Sequence, residues 1–203
     1  MLLPFCFFGN YTVGSIFTTI KLTNDMDTIV FGAGCFWCVE AIFQQVEGVV
    51  EVGPGYCGGS TLNPTYEEVC AGTTGHVEVA RVLFDSSIVS FTHLLEVFWR
   101  THDPTTINRQ GNDVGTQYRS SIFCTNKKQF ATSLEYKKKL DDADLWIKPI
   151  VTEVKMLGEY YPAEDYHYNY YNKNSNQSYC KYIIQPKLEK YNNVFGVKKT
   201  IND

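Results

Sequence analysis

Residues 31–40 read FGAGCFWCVE and put two thiols, Cys35 and Cys38, beside two large rings, Phe36 and Trp37. A thiol at the start of a helix is placed for nucleophilic chemistry, because the unpaired backbone N–H groups and the positive end of the dipole stabilise a thiolate and lower the thiol pKa. Cys35 fits that position, and Phe36 and Trp37, on the first exposed turn, can wall an apolar pocket beside its sulfur. The competing reading is a small, inert, buried cysteine.

Residues 77–84 alternate, so Glu78 shares a strand face with Ala80, Val82 and Phe84. A carboxyl at the edge of a buried apolar layer is held protonated by desolvation and becomes a proton donor. A surface glutamate on a half-exposed strand is the alternative. Tyr66 and Tyr118 stand at loop edges, and Cys180 follows a polar tail. A thiol hydrolase would need a histidine base, for which His76 is the candidate. A thiol that reduces an oxidised substrate instead needs an acid for the departing oxygen and a second thiol to clear the oxidised cysteine. Glu78 and Cys180 supply those parts.

The elements that must position these residues follow from the pattern. Residues 28–31 read as a buried strand, broken by Gly32 and Gly34, and a helix follows with Val39, Ile42, Phe43 and Val46 on one face and Gly48 as its stop. A strand over 49–52 runs into a glycine-rich loop, 53–59, and Pro64 opens a short helix that places Tyr66 at its start. After the strand at 77–84, Ser90 caps a helix ending at His102, and a long polar loop, 105–117, precedes Tyr118, Ser120, Ile122 and Cys124 on one strand face. Asn126 caps a helix to Asp142, residues 150–156 alternate as a strand stopped by Tyr160-Tyr161-Pro162, and 163–171 read as helix. Residues 172–178 read as a flexible, Asn-rich approach to Cys180.

Composition narrows the class. The 203 residues are 44% hydrophobic and 20% charged, enough for one globular domain with a proper core. A net charge of −4 excludes the electrostatic footprint of a nucleic-acid binder, and the lysines at 127–128 and 137–139 are interleaved with acids on a solvated face. Seven cysteines, an odd number, do not form the dense framework of a small secreted fold, so a reducing, cytoplasmic setting is the default expectation. Residues 1–25 read as an N-terminal extension of undefined role, too interrupted to span a bilayer, with Met26 a plausible alternative start and 26–203 as a single catalytic domain with a flexible C-terminal tail. No metal, cofactor or membrane association is expected, and a monomer is the default.

At this point the motifs match a family. Gly34-Cys35-Phe36-Trp37, Gly55-Tyr56-x-Gly58-Gly59, Asn63-Pro64-Thr65-Tyr66, Gly75-His76-x-Glu78, residues 109–120 (RQGNDVGTQYRS), residues 163–167 (AEDYH) and Tyr179-Cys180 with Pro186-Lys187 closely resemble methionine sulfoxide reductase A, in order, from about residue 28 to 190. The resemblance implies an α/β (α+β) two-layer sandwich of the ferredoxin-like type, a mixed β-sheet with flanking helices. It implies reduction of the S epimer of methionine sulfoxide, free or in proteins. Cys35 would attack the sulfoxide sulfur, Phe36 and Trp37 hold the methyl group, Glu78 protonate the oxygen, Tyr66 and Tyr118 hydrogen-bond it, and Asp113 order the polar side. Cys180 would then resolve the Cys35 sulfenic acid into a disulfide that thioredoxin reduces.

The chain departs from the commonest pattern at Cys38, where glycine is usual, at Cys57, read as a packed thiol, and at Tyr168, where glutamine is usual. Cys35-x-x-Cys38 is therefore an alternative redox pair in which Cys38 resolves the sulfenic acid. Three other classes compete: a thioredoxin-like exchanger using that pair alone, a zinc module, for which Cys57, Cys70 and Cys124 are not spaced, and a non-enzymatic binder of oxidised methionine.

Overall fold

The computed structural model describes residues 25–196, so most of the N-terminal extension and the last seven residues lie outside it. A mixed six-stranded sheet carries the fold, with strands β1 (Met26–Gly32), β2 (Val49–Cys57), β3 (Val77–Asp85), β6 (Ser121–Cys124), β7 (Glu153–Met156) and β8 (Tyr160–Pro162) in the order β7-β6-β1-β3-β2-β8. All neighbours are antiparallel except β6 and β7, which run parallel. The helices are α1 (Phe36–Phe43), α2 (Tyr66–Cys70), α3 (Phe91–Thr101), α4 (Lys127–Asp142), α5 (Tyr170–Asn174) and α6 (Gln185–Phe195).

The alternation of the strands decides which face is covered. Ile29 and Phe31 of β1, Ala80, Val82 and Phe84 of β3 and Ile122 and Cys124 of β6 point into one core with α1, α3 and α6, while Val30, Val77, Val79 and Phe123 form a smaller cluster on the other face. Phe31 is stacked between Phe43 of α1 and Phe98 of α3, with ring centroids 5.0 and 4.9 Å away. Each such buried ring contributes about 2 kcal/mol of transfer free energy and fixes α1 against the central strands.

Several expected boundaries differ. The glycine-rich stretch is strand, because β2 continues to Cys57 between β3 and β8. Gly55 is needed there because a Cβ would lie 2.5 Å from the Tyr160 ring. Residues 160–162, expected as a stop, form the edge strand β8, and only 153–156 of the preceding segment is strand. The polar loop contains a two-stranded hairpin, β4 (Arg109–Gln110) and β5 (Asp113–Val114). Tyr118 ends a 3-10 turn, Thr116–Tyr118, instead of opening the strand. The helix expected over 163–171 is a 3-10 turn at Asp165–His167, and α5 starts only after Asn169, whose φ of 55° breaks the helix.

The approach to Cys180, expected as a flexible tail, is folded. Cys180 opens a π-helical turn, Cys180–Ile184, that runs directly into α6, and its side chain is fully buried. Apolar spacing explains the difference: Cys180, Ile184, Leu188 and Tyr191 lie on one side and pack into the main core. No helix among the described residues is long and apolar enough to cross a membrane.

Candidate active site

β1 ends in a turn through Gly34, whose φ is 89° and where a Cβ would meet the Gln110 side chain at 2.7 Å. Glycine is required on both counts. The turn delivers Cys35 as the residue preceding α1, with φ −56° and ψ 126° and no side-chain cap on the helix. The first free amide of the helix, Phe36 N–H, donates instead to Glu78 Oε2 at 3.1 Å.

Glu78 is 1% exposed and comes from the core-facing side of β3. Burial pushes its carboxyl up to about 8, against the pull of the Phe36 amide, and the negative charges of Asp113 and Cys38 push the same way. Near neutral pH it is therefore mostly protonated and able to donate.

The thiols depart from the expectation for Cys35. Its pKa is raised well above the ordinary thiol value, first by burial and then by Cys38 and Glu78. The helix N-terminus does not depress it, because Glu78 occupies the amide. The depressed ionisation, about 7, falls to Cys38, favoured first by the neighbouring Cys35 thiol and then by Lys187 and Tyr179, against the opposing effect of burial.

The aromatic pair is less exposed than its place on the first turn suggests. Phe36 is fully buried, with the Tyr66 ring 6.2 Å and the His167 ring 4.9 Å from its own. Trp37 stacks on Tyr170 at 3.7 Å and 7° and donates its indole N–H to His167 Nδ1 at 3.1 Å. Glu40, one helical turn along, accepts the Asn169 and Tyr170 amides at 2.7 and 3.2 Å and so fixes the start of α5, which carries Tyr170.

Tyr66 opens α2, which has a full capping box between Thr65 and Glu68. Its amide donates to Glu164 Oε1 at 3.0 Å, while the Tyr56 hydroxyl donates to Glu164 Oε2 at 2.8 Å. Tyr66 and Tyr118 are both held protonated, by burial first, with the Glu78 charge acting on both and that of Cys35 on Tyr118. Asp113, at the start of β5, accepts from the Tyr179 hydroxyl at 3.1 Å, and that hydroxyl lies 4.0 Å from Cys38 Sγ. Gln110 anchors the hairpin by bonding both the N–H and the C=O of Asp103, at 3.1 and 2.9 Å.

The sequence-read candidates Cys35, Phe36, Trp37, Tyr66, Glu78, Asp113 and Tyr118 thus converge on the mouth of α1. Cys180 lies beside it, next in chain to Tyr179, close enough for the charge of Cys38 to raise its pKa after burial. All six described cysteines are free thiols, and Cys57 is buried at the end of β2. His76 does not serve Cys35: its Nδ1 accepts the Gly59 amide at 3.1 Å and its Nε2 donates to the Thr61 carbonyl at 2.8 Å. Four residues at the site were given no role from sequence: Glu164, His167, Tyr170 and Tyr179. Tyr179, beside Cys180, and Glu164 and His167, within the motif at 163–167, carried a signal, whereas Tyr170 acts through its stack on Trp37 from a distant part of the chain.

Comparison with known proteins agrees with this geometry. A family model described as peptide methionine sulfoxide reductase matches residues 27–199. The MsrA of Trichodesmium erythraeum is 53% identical over 170 residues, 84% of this chain and 96% of that protein. Among solved structures, methionine sulfoxide reductase A of Corynebacterium diphtheriae matches with a TM-score of 0.68 and 40% identity over 79% of this chain and 81% of its own. Reduced Mxr1 of Saccharomyces cerevisiae matches with a TM-score of 0.72 and 30% identity over 78% and 91%. Mxr1 in complex with Trx2 is similar in fold, with a TM-score of 0.53 and 22% identity over 74% and 91%. This chain belongs to the peptide methionine sulfoxide reductase family, of the MsrA type.

Proposed function

We propose that the protein reduces the S epimer of methionine sulfoxide, free or in proteins, with Cys35 as nucleophile and Glu78 as proton donor. The observation that carries this reading is the buried Glu78 carboxyl at the helix mouth, raised to about 8. Cys35 attacks the sulfoxide sulfur as Glu78 gives its proton to the oxygen, with Tyr66 and Tyr118 as hydrogen-bond donors to it and Asp113 ordering the polar side through Tyr179. Phe36 and Trp37 receive the methyl group. Methionine leaves and Cys35 keeps the oxygen as a sulfenic acid.

The Cys180 thiol then attacks the sulfenic sulfur, releasing water and forming a Cys35–Cys180 disulfide, with Cys38 as the alternative partner. Thioredoxin supplies the dithiol that restores both thiols, a role supported by the family and by the Trx2 complex of the yeast relative. The order β6-β1-β3-β2, with two intervening helical crossovers, supports a ferredoxin-like two-layer arrangement. The family match over 27–199 supports a single catalytic domain. Free thiols at the described cysteines suit a reducing compartment, and a cytoplasmic, monomeric enzyme is part of this reading.

The test is one turnover of reduced protein with racemic methionine sulfoxide and no added reductant, with disulfide mapping. Stoichiometric methionine from the S epimer alone and a Cys35–Cys180 bond support the reading. A Cys35–Cys38 bond transfers resolution to α1, and loss of the R epimer rejects the epimer assignment.

A further inference from the structure

We propose that Cys38 is the proton acceptor for Cys35 in the reductive step, with Lys187 as the positioning residue that holds Cys38 as its anion. The inference rests on the reductase reading and adds a base to it, since nothing so far described deprotonates the buried Cys35. The helix amide that would favour a Cys35 thiolate is taken by Glu78. His76 is committed to backbone at both nitrogens. His102 is also committed: its Nδ1 donates to the Phe98 carbonyl at 2.6 Å, so its Nε2 accepts from the Ser120 hydroxyl at 2.7 Å, and burial pushes its pKa down to about 4.

Cys38 is placed differently. It is 1% exposed and lines a small cavity behind α1 with Ala33, Ile42, His102 and Lys187. Lys187 lines that same cavity from the first turn of α6, a cation beside a buried thiol in a site of low dielectric, and its charge favours the Cys38 thiolate. Titratable groups face Cys38 from every packed element: Cys35 ahead of α1, Glu78 on β3, Tyr179 and Cys180 at the π-helical turn, Lys187 on α6 and the neutral His102 after α3. Of these only Lys187 brings a positive charge, and Glu78 is mostly protonated, so the charge on Cys38 is favoured on balance.

The proton inventory closes. As the Cys35 sulfur bonds to the sulfoxide sulfur, its proton passes to the Cys38 thiolate, and Glu78 protonates the oxygen. When methionine leaves and Cys35 becomes the sulfenic acid, the proton on Cys38 returns to Glu78. The Cys38 anion also helps to keep Glu78 protonated before the step, because its charge raises the Glu78 pKa. A resolving role for Cys38 would come later and would not touch the first turnover.

The test reads ultraviolet thiolate absorbance against pH, and the first-turnover rate without reductant. Wild type should show one thiolate titrating near 7, absent in Cys38→Ser, moved upward in Lys187→Met and kept in Lys187→Arg. Methionine release at neutral pH should fall about 10-fold or more in folded Cys38→Ser and in Lys187→Met, the low end for loss of a general base, and recover in Lys187→Arg. A low-pH titration surviving in Cys38→Ser, or an unchanged first turnover in both Cys38→Ser and Lys187→Met, overturns the proposal. If Cys38→Ser fails to fold, the Lys187 pair decides alone. Absence of methionine from wild type would reject the reductase reading instead, and the titration would still report on the thiol pair.

Discussion

The Phe36 amide donates to Glu78 Oε2 across 3.1 Å, joining the first free N–H of α1 to a carboxyl group 42 residues away. The positive end of the helix therefore acts on the proposed acid. Burial is the larger effect, and the carboxyl still rises to about 8. A nucleophile next to this helix must find its activation elsewhere, which is why the neighbouring thiol matters.

Glu78 should leave a signature in stability. The folded protein keeps its proton up to about 8, whereas the ordinary carboxyl value is 4.5. Between those values the folded state binds more protons than the unfolded one, so its contribution is fully present below 4.5 and is lost as the pH climbs through about 8. Glu78→Gln lacks this term. Its melting temperature relative to wild type should rise between about pH 5 and 9; a pH-independent difference would contradict the buried, protonated carboxyl.

Tyr170→Ala removes the ring stacked at 3.7 Å on Trp37 while leaving Cys35 and Glu78 in place. Such stacks are worth about 1 kcal/mol, so KM for methionine sulfoxide should rise roughly 5-fold with little change in kcat. A fall in kcat at constant KM would place Trp37 outside substrate binding.

Glu164→Ala takes the acceptor from the fully buried Tyr56 hydroxyl and the anchor from the Tyr66 amide. An unpartnered buried hydroxyl costs about 2 kcal/mol, which denaturant titration will read. The first-turnover rate should fall as well, since Tyr66 loses its fixed place over Phe36.

Much of this site was legible because chemistry and spacing agree. Glu78 shares its face with Ala80, Val82 and Phe84, and the same alternation that buries those residues buries the carboxyl. Cys35 at the head of a helix followed from Gly34 and the stripe at 39, 42, 43 and 46. What local pattern misses is long-range pairing. Glycines at 55 and 58 read as a loop because their need is set by Tyr160 and Phe123, which pack over them from distant segments. The lowered Cys35 pKa expected from the helix start fails because burial, then the neighbouring Cys38 and then Glu78, brought in from β3, raise it instead.

Cys180→Ser should spare the first methionine released and block thioredoxin-supported cycling. Because Cys180 is buried in the turn that opens α6, a folded variant should keep its first-turnover rate within about 2-fold, as expected for a thiol used only after chemistry. Undiminished cycling would assign resolution to Cys38.

The central claim is that Glu78 protonates the sulfoxide oxygen, and the most direct measurement is the first-turnover rate of wild type and Glu78→Gln across neutral and alkaline pH. Wild type should lose rate as the pH rises through about 8, while the folded variant should be slower at neutral pH by about 100-fold or more and lack that limb. Equal rates at neutral pH would remove Glu78 from the reaction.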